Sequence, residues 1–193
     1  MIVKPERANL TVLVIAAVGV SGSGKTTTLE YLISHLSKEK YKIGSVKHIH
    51  IPNFTIDKEG TNTWRYAKAG SKVTVAISPH EIAIIKKTEA SPNQIDEVIE
   101  LLEKEQLDIV FIEGFHRTIS KKQSIPKIIT AKDATDLQVT LKNVVPPVLA
   151  ITGVFAQNST KKVEDKIPLI KIPAEGEQLL KIIRELLKNP PSF

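Results

Sequence analysis

Apolar and polar positions along the chain switch repeatedly between two periods. The run Leu10–Val18 is short and almost continuously apolar, as a buried strand requires. From Lys25 to about Lys38 the period changes, and Leu29, Leu32, Ile33 and Leu36 predict an amphipathic helix whose stripe packs on a sheet. Tyr41–Ile51 reads as a second strand, which makes strand, Gly-rich turn, helix, strand the opening of a doubly wound parallel sheet. Pro52–Gly60 is a loop, and Thr61–Ala69 is a short helix closed by Gly70. The β-rich runs Val73–Ser78 and Glu81–Thr88, joined by Pro79-His80, predict a hairpin. It is expected to add antiparallel to the sheet and to offer an edge to another subunit.

Ser91-Pro92 then opens a helix with Ile95, Val98, Ile99, Leu101 and Leu102 on its buried face. Leu107–Phe115 holds four consecutive apolar residues and predicts a strand buried on both faces. His116–Lys127 reads as a basic loop, Lys127–Thr130 as a short strand and Ala131–Asp136 as a polar turn. Pro146–Thr152 and Pro168–Ile172 read as two further strands on either side of the polar, basic stretch Val154–Lys166. Glu177–Leu187 closes the pattern as an amphipathic helix, with Met1–Asn9 a loose lead-in and Asn189–Phe193 a frayed end. The expected fold is α/β, a single nucleotide-binding domain over residues 1–193 with a mostly parallel sheet flanked by helices and an added β-hairpin.

The chemistry concentrates between the first strand and helix. Gly19, Gly24, Lys25 and Thr26 stand in the G-x-x-x-x-G-K-[ST] spacing of a phosphate-binding loop, in the strand-to-helix context that the motif needs. Glycines at positions 19, 22 and 24 let backbone N–H groups curl around phosphate oxygens. In such a loop Lys25 reaches the β and γ phosphates and the Thr26 hydroxyl serves Mg²⁺. At the carboxyl end of Leu107–Phe115, Glu113 has the placement of a Walker B acid, for Mg²⁺ or for the water that attacks the γ-phosphate. Lys25 and Glu113 are thus the expected catalytic pair. Asp108, at the other end of the strand, ends the preceding turn.

Other candidates are less determined. Lys47, His48 and His50 lie at the ligand end of the second strand, where the two histidines, two apart, would share one face. Asp57 sits in a loop that either helps to hold Mg²⁺ or is solvated next to a helix cap at Thr61. No N-K-x-D sequence is present, and Asp133 either accepts from the guanine N1 and N2 hydrogens or caps a following helical turn.

Composition narrows the class. A hydrophobic fraction of 41% and a charged fraction of 25% are those of a soluble globular protein, and no apolar run is long enough to cross a bilayer. With no cysteine, disulfides and thiolate metal sites are excluded, in keeping with the cytoplasm. A net charge of +6 suits an anionic ligand, and there is no aromatic-interleaved basic stripe to suggest nucleic acid.

Three blocks in this order resemble one family. They are GVSGSGKTTTLEYLI, then GSVKHIH with FTID and the spaced Gly60, Arg65 and Ala69-Gly70, then DIVFIEGF followed by IPKI. Together they are similar to the molybdopterin-guanine dinucleotide biosynthesis protein B family, MobB. The resemblance implies a P-loop protein that binds GTP and Mg²⁺, with at most slow hydrolysis. It also implies a homodimer formed through β-hairpins that assists a molybdenum cofactor guanylyltransferase, with molybdopterin itself a further ligand. Carried over by residue, it places Gly22, Ser23, Gly24, Lys25, Thr26 and Thr27 at the phosphates and Mg²⁺, Asp57 and Glu113 around the metal and Asp133 near the base, and it turns Lys47, His48 and Arg117 toward the cofactor or partner. Two stretches depart from the family: Ile51, Pro52 and Asn53 interrupt the histidine block, and His116-Arg117 replaces a lysine. Two other classes stay open on sequence: a small-molecule P-loop kinase with His116–Lys127 as its lid, and a metal-delivery GTPase using His48 and His50.

Overall fold

The computed structural model describes residues 12–89, 94–159 and 167–190. The predicted lead-in Met1–Asn9, the first two residues of the strand read over Leu10–Val18, the helix-opening Ser91-Pro92, the end of Val154–Lys166 and the last residues of the tail lie outside them. In chain order the elements are β1 (Leu13–Val18), α1 (Lys25–Lys38), β2 (Ile43–Lys47), α2 (Asn62–Lys68), β3 (Val73–Ile77), β4 (Ile82–Lys86), α3 (Gln94–Glu103), β5 (Ile109–Glu113), α4 (His116–Ile119), β6 (Lys127–Thr130), α5 (Ala134–Asn143), β7 (Val148–Thr152), α6 (Val154–Asn158) and α7 (Gly176–Lys188). The chain packs as two compact units, one of Met1–His48 with Ile95–Phe193 and one of Ile49–Gln94. Among the described residues no helix is long and apolar enough to cross a membrane.

The larger unit is built on a five-stranded sheet in the order β2-β5-β1-β6-β7, with every pairing parallel. The two-residue period of β1 and β5 sorts their side chains between the layers. Leu13, Ile15, Ala17, Ile109 and Phe111 pack with Leu32 and Leu36 of α1 and Leu179, Leu180 and Ile183 of α7. Ala16, Val110 and Ile112 point the other way, onto Ile95 of α3, Ile119 of α4 and Ile125. A third cluster, Ile129, Ala131, Leu137 and Ile151, seats α5 against β6 and β7. β5 is buried at every position, Glu113 included. Asp108 at its start accepts from the Lys42 amide at 2.7 Å and so ties the entry of β2 to that of β5.

Five expectations change. The strand read over Tyr41–Ile51 ends at Lys47, because its partner β5 ends at Glu113 and offers no further ladder, so His48 and His50 follow the strand instead of sharing a face on it. Pro168–Ile172 contributes a single bridge from Leu169 to Ile151, with Pro168 and Pro173 lacking the N–H groups that would extend it. The basic loop begins as the helical turn α4, and the Ala131–Asp136 turn leads into α5, whose Leu137 and Leu141 stand one turn apart against β6 and β7. The hairpin forms where expected, yet β3 and β4 make a two-stranded sheet of their own and do not extend the parallel one. A tight turn, in which the Ser78 amide donates to Glu81 O at 2.8 Å, satisfies their pairing locally.

In the smaller unit the hairpin register places Val73, Val75 and Ile77 opposite Lys86, Ile84 and Ile82 on one face. The five apolar members of this face are all exposed. α2 starts at Thr61, whose hydroxyl accepts from the Trp64 amide.

Candidate functional site

The loop between β1 and α1 is set by contacts across the sheet. A Cβ on Gly19 would come 2.1 Å from the Thr130 carbonyl, so the close approach of the loop to the end of β6 requires glycine there. Ser23 is buried and fastens the loop, with its hydroxyl donating to Val20 O at 2.8 Å and lying 2.6 Å from the Thr130 hydroxyl. Gly24, at φ +101°, turns the chain into α1 and has the backbone of Gly153 directly against it. One turn into the helix, the Thr28 hydroxyl meets that of Thr152 at 3.0 Å. The phosphate loop is therefore held by the ends of β6 and β7, two strands distant in sequence.

Lys25 lies back across the loop, donating to Gly19 O at 2.9 Å and Val20 O at 2.6 Å. Burial lowers its pKa from the ordinary lysine value. The Glu113 carboxylate opposes that shift, and the charge of Lys47 adds to it, with Asp136 and Lys132 acting the same two ways more weakly. Thr26 donates to both carboxylate oxygens of Glu113, at 3.1 and 3.0 Å. Lys47 forms an ion pair with the same carboxylate through Oε1. These hard oxygen donors, one hydroxyl and one carboxylate at the mouth of a glycine loop, fit Mg²⁺, which is held through oxygen and commonly keeps several waters.

The remaining predicted residues divide. His48 stacks on Phe115, with ring centroids 4.1 Å apart, and its amide donates to Glu113 O at 2.8 Å, so it braces the turn that carries the acid. Arg117 is exposed on α4, and Thr27 is exposed on α1. Asp133 caps α5 by accepting from the Asp136 amide at 2.9 Å, and Asp136 in turn accepts from the Lys132 amide at 2.9 Å. Asp57 belongs to the smaller unit, where its Oδ1 accepts from the Thr61 and Thr63 hydroxyls at 3.1 and 2.7 Å. Its Oδ2 is buried without a hydrogen-bond partner there. Among the described residues no three His, Cys, Asp or Glu side chains cluster to hold a metal ion.

Two residues that the motifs do not single out stand at the loop. The Lys132 side chain runs beside Gly22, so close that a Cβ there would meet Cε at 3.3 Å and Nζ at 3.6 Å. The His116 ring has its Nδ1 buried without a partner, and burial, followed by the charge of Lys25, lowers its pKa, with Asp136 opposing. The available signal is topological: in an open parallel sheet, turns at the carboxyl ends of strands flanking the first one face the ligand.

A parallel sheet with helices on both faces and a phosphate loop between its first strand and first helix defines a P-loop NTPase fold. The family model of molybdopterin guanine dinucleotide synthesis protein B matches residues 14–153, and the chain belongs to this MobB family. It is 35% identical over 129 residues to a molybdopterin-guanine dinucleotide biosynthesis adapter protein of Haemophilus influenzae, covering 67% of this chain and 68% of that one. A putative adapter protein of the same description from Methanocaldococcus jannaschii is 36% identical over 122 residues, covering 62% of this chain and 47% of that one. The crystal structure of Bacillus subtilis MobB shares the fold at a TM-score of 0.69 and 23% identity, covering 88% of this chain and 97% of that one.

Proposed function

We propose that the protein binds GTP with Mg²⁺ at the phosphate loop and acts as an adapter in the formation of molybdopterin guanine dinucleotide. The observation that carries this reading is the constellation of Lys25, Thr26 and Glu113 at a glycine loop, in a chain of the MobB family. The backbone amides of Gly22–Thr27 and the Lys25 ammonium take the phosphates, and entry of the anion replaces the carbonyl oxygens of Gly19 and Val20 as partners of Lys25. Thr26 and Glu113 hold Mg²⁺. Bound there, the ion supplies charge neutralisation of the phosphates. Hydrolysis, where it occurs, is slow, with Glu113 orienting water toward the γ-phosphate. Lys132, beside Gly22, adds a second ammonium to the anion site.

Asp133 reads the guanine edge in this proposal while it caps α5, and the two roles separate in Asp133→Ser. Serine keeps the cap, so the helix stays and the preference for GTP over ATP is lost. Lys47, His48 and Arg117 face the cofactor, molybdopterin, or the partner, a molybdenum cofactor guanylyltransferase in the cytoplasm. The exposed apolar face of β3 and β4 joins two copies of the chain into a homodimer. Calorimetric titration with GTP and with ATP, each with and without Mg²⁺, tests the core of the proposal. GTP is expected to bind in preference, and more tightly with Mg²⁺. Preference for ATP overturns the base assignment and favours a small-molecule kinase.

A further inference from the structure

We infer that Lys47 is a built-in competitor of the divalent cation, and that it sets how strongly nucleotide binding depends on the metal. This rests on the reading of the site as one for nucleotide and Mg²⁺. Glu113 is 7% exposed at the end of a strand that is buried throughout. A carboxylate so placed needs a positive or hydrogen-bonding partner, or it is strongly destabilised. Its local partners are the Thr26 hydroxyl, which spans both oxygens, and the Lys47 ammonium, which sits on Oε1.

The placement of Lys47 follows from the sheet. Lys47 and Glu113 are register partners at the ends of neighbouring parallel strands β2 and β5, so their side chains leave the sheet on one side and reach each other across the strand gap. Lys25 does not take this place, because its ammonium is committed to Gly19 O and Val20 O. An ion held between Thr26 and Glu113 would draw on the same carboxylate, whose two oxygens both lie within reach of Thr26. One negative charge cannot balance a divalent ion and an ammonium side by side, and the two cations repel, so arrival of the ion turns Lys47 out. The Lys47 side chain is 56% exposed on a flexible stem and can swing into solvent at little conformational cost. By linkage, the interaction that holds Lys47 on Glu113 is subtracted from the affinity for the ion, and a bound ion makes the Lys47 ammonium available to a phosphate or a partner carboxylate.

The test compares the full chain with Lys47→Met, Lys47→Arg and Glu113→Gln. Bound Mn²⁺ is followed by electron paramagnetic resonance on the nucleotide-free protein, and GTP affinity by calorimetry without and with saturating Mg²⁺. Lys47→Met is expected to bind Mn²⁺ roughly fivefold more tightly, the equivalent of one partly exposed ion pair. The ratio of GTP affinities with and without Mg²⁺ should widen by the same factor, while Lys47→Arg stays close to the parent and Glu113→Gln loses the ion. Equal or weaker Mn²⁺ binding in Lys47→Met, or none in any variant, overturns the inference. GTP binding that persists alongside such a result leaves the nucleotide site standing, whereas absence of GTP binding under every condition removes the site reading itself.

Discussion

The two units handle apolar residues in opposite ways. In the larger one β5 buries all five of its side chains between helices, and even its acid is 93% covered. In the smaller one β3 and β4 leave Val73, Val75, Ile77, Ile82 and Ile84 exposed, with Ile77 at 77%. A parallel sheet closed by helices on both sides is a finished core, while a two-stranded sheet is not. The first has closed both of its apolar faces, and the second leaves one of its own uncovered.

The largest effect separates the two units by stability. Phe111→Ala, in the fully buried centre of the larger unit, should cost about 4 kcal/mol in denaturant unfolding. Ile84→Ser on the exposed hairpin face should cost under ~0.5 kcal/mol in the monomer while shifting sedimentation from dimer toward monomer. Comparable losses of stability for the two would erase the contrast. Lys25→Ala comes next, with GTP affinity expected to fall about a hundredfold as the charge-assisted contacts disappear, and far-ultraviolet circular dichroism unchanged. Unaltered GTP affinity would remove the phosphate loop from the proposal. Asp133→Ala should destabilise α5 by about 1 kcal/mol through loss of its cap, seen as faster amide exchange at the start of that helix.

The smallest effect is in pH. His116 is held below its ordinary value of 6.5 by burial and by Lys25, against the pull of Asp136. Below that value the unfolded chain binds a proton that the folded one resists, so stability falls as pH drops from neutral through about 6.5. His116→Gln should flatten the part of the thermal-midpoint profile that depends on His116 between neutral and mildly acid pH, and an unchanged profile would show that its titration does not matter.

Long periodic elements were legible in the chain: β1, α1, β5 and α7 match their predicted ranges within a few residues, since each carries its own apolar pattern. α5 was legible only as the helical turn open to capping by Asp133, although Ala134, Leu137 and Leu141 recur at helical spacing; its place comes from Leu137 packing against β6 and β7. The independence of the hairpin from the main sheet was equally hidden, since alternation predicts a strand and does not name its neighbour.

At the site the same division holds. Gly19–Thr26 announces a phosphate loop because the chemistry is contiguous: glycines, lysine and hydroxyl act within one turn of backbone. Glu113 was recognisable from an acid ending an apolar run. Local sequence thus determined the glycine loop, the acid at the strand end and the strand-helix frame that carries them. Only the order β2-β5-β1-β6-β7 put Lys47 on Glu113, Lys132 beside Gly22 and Thr130 under Gly19. Those contacts join residues far apart in the chain, and strand order arises from packing both faces of the sheet at once, which no single segment encodes.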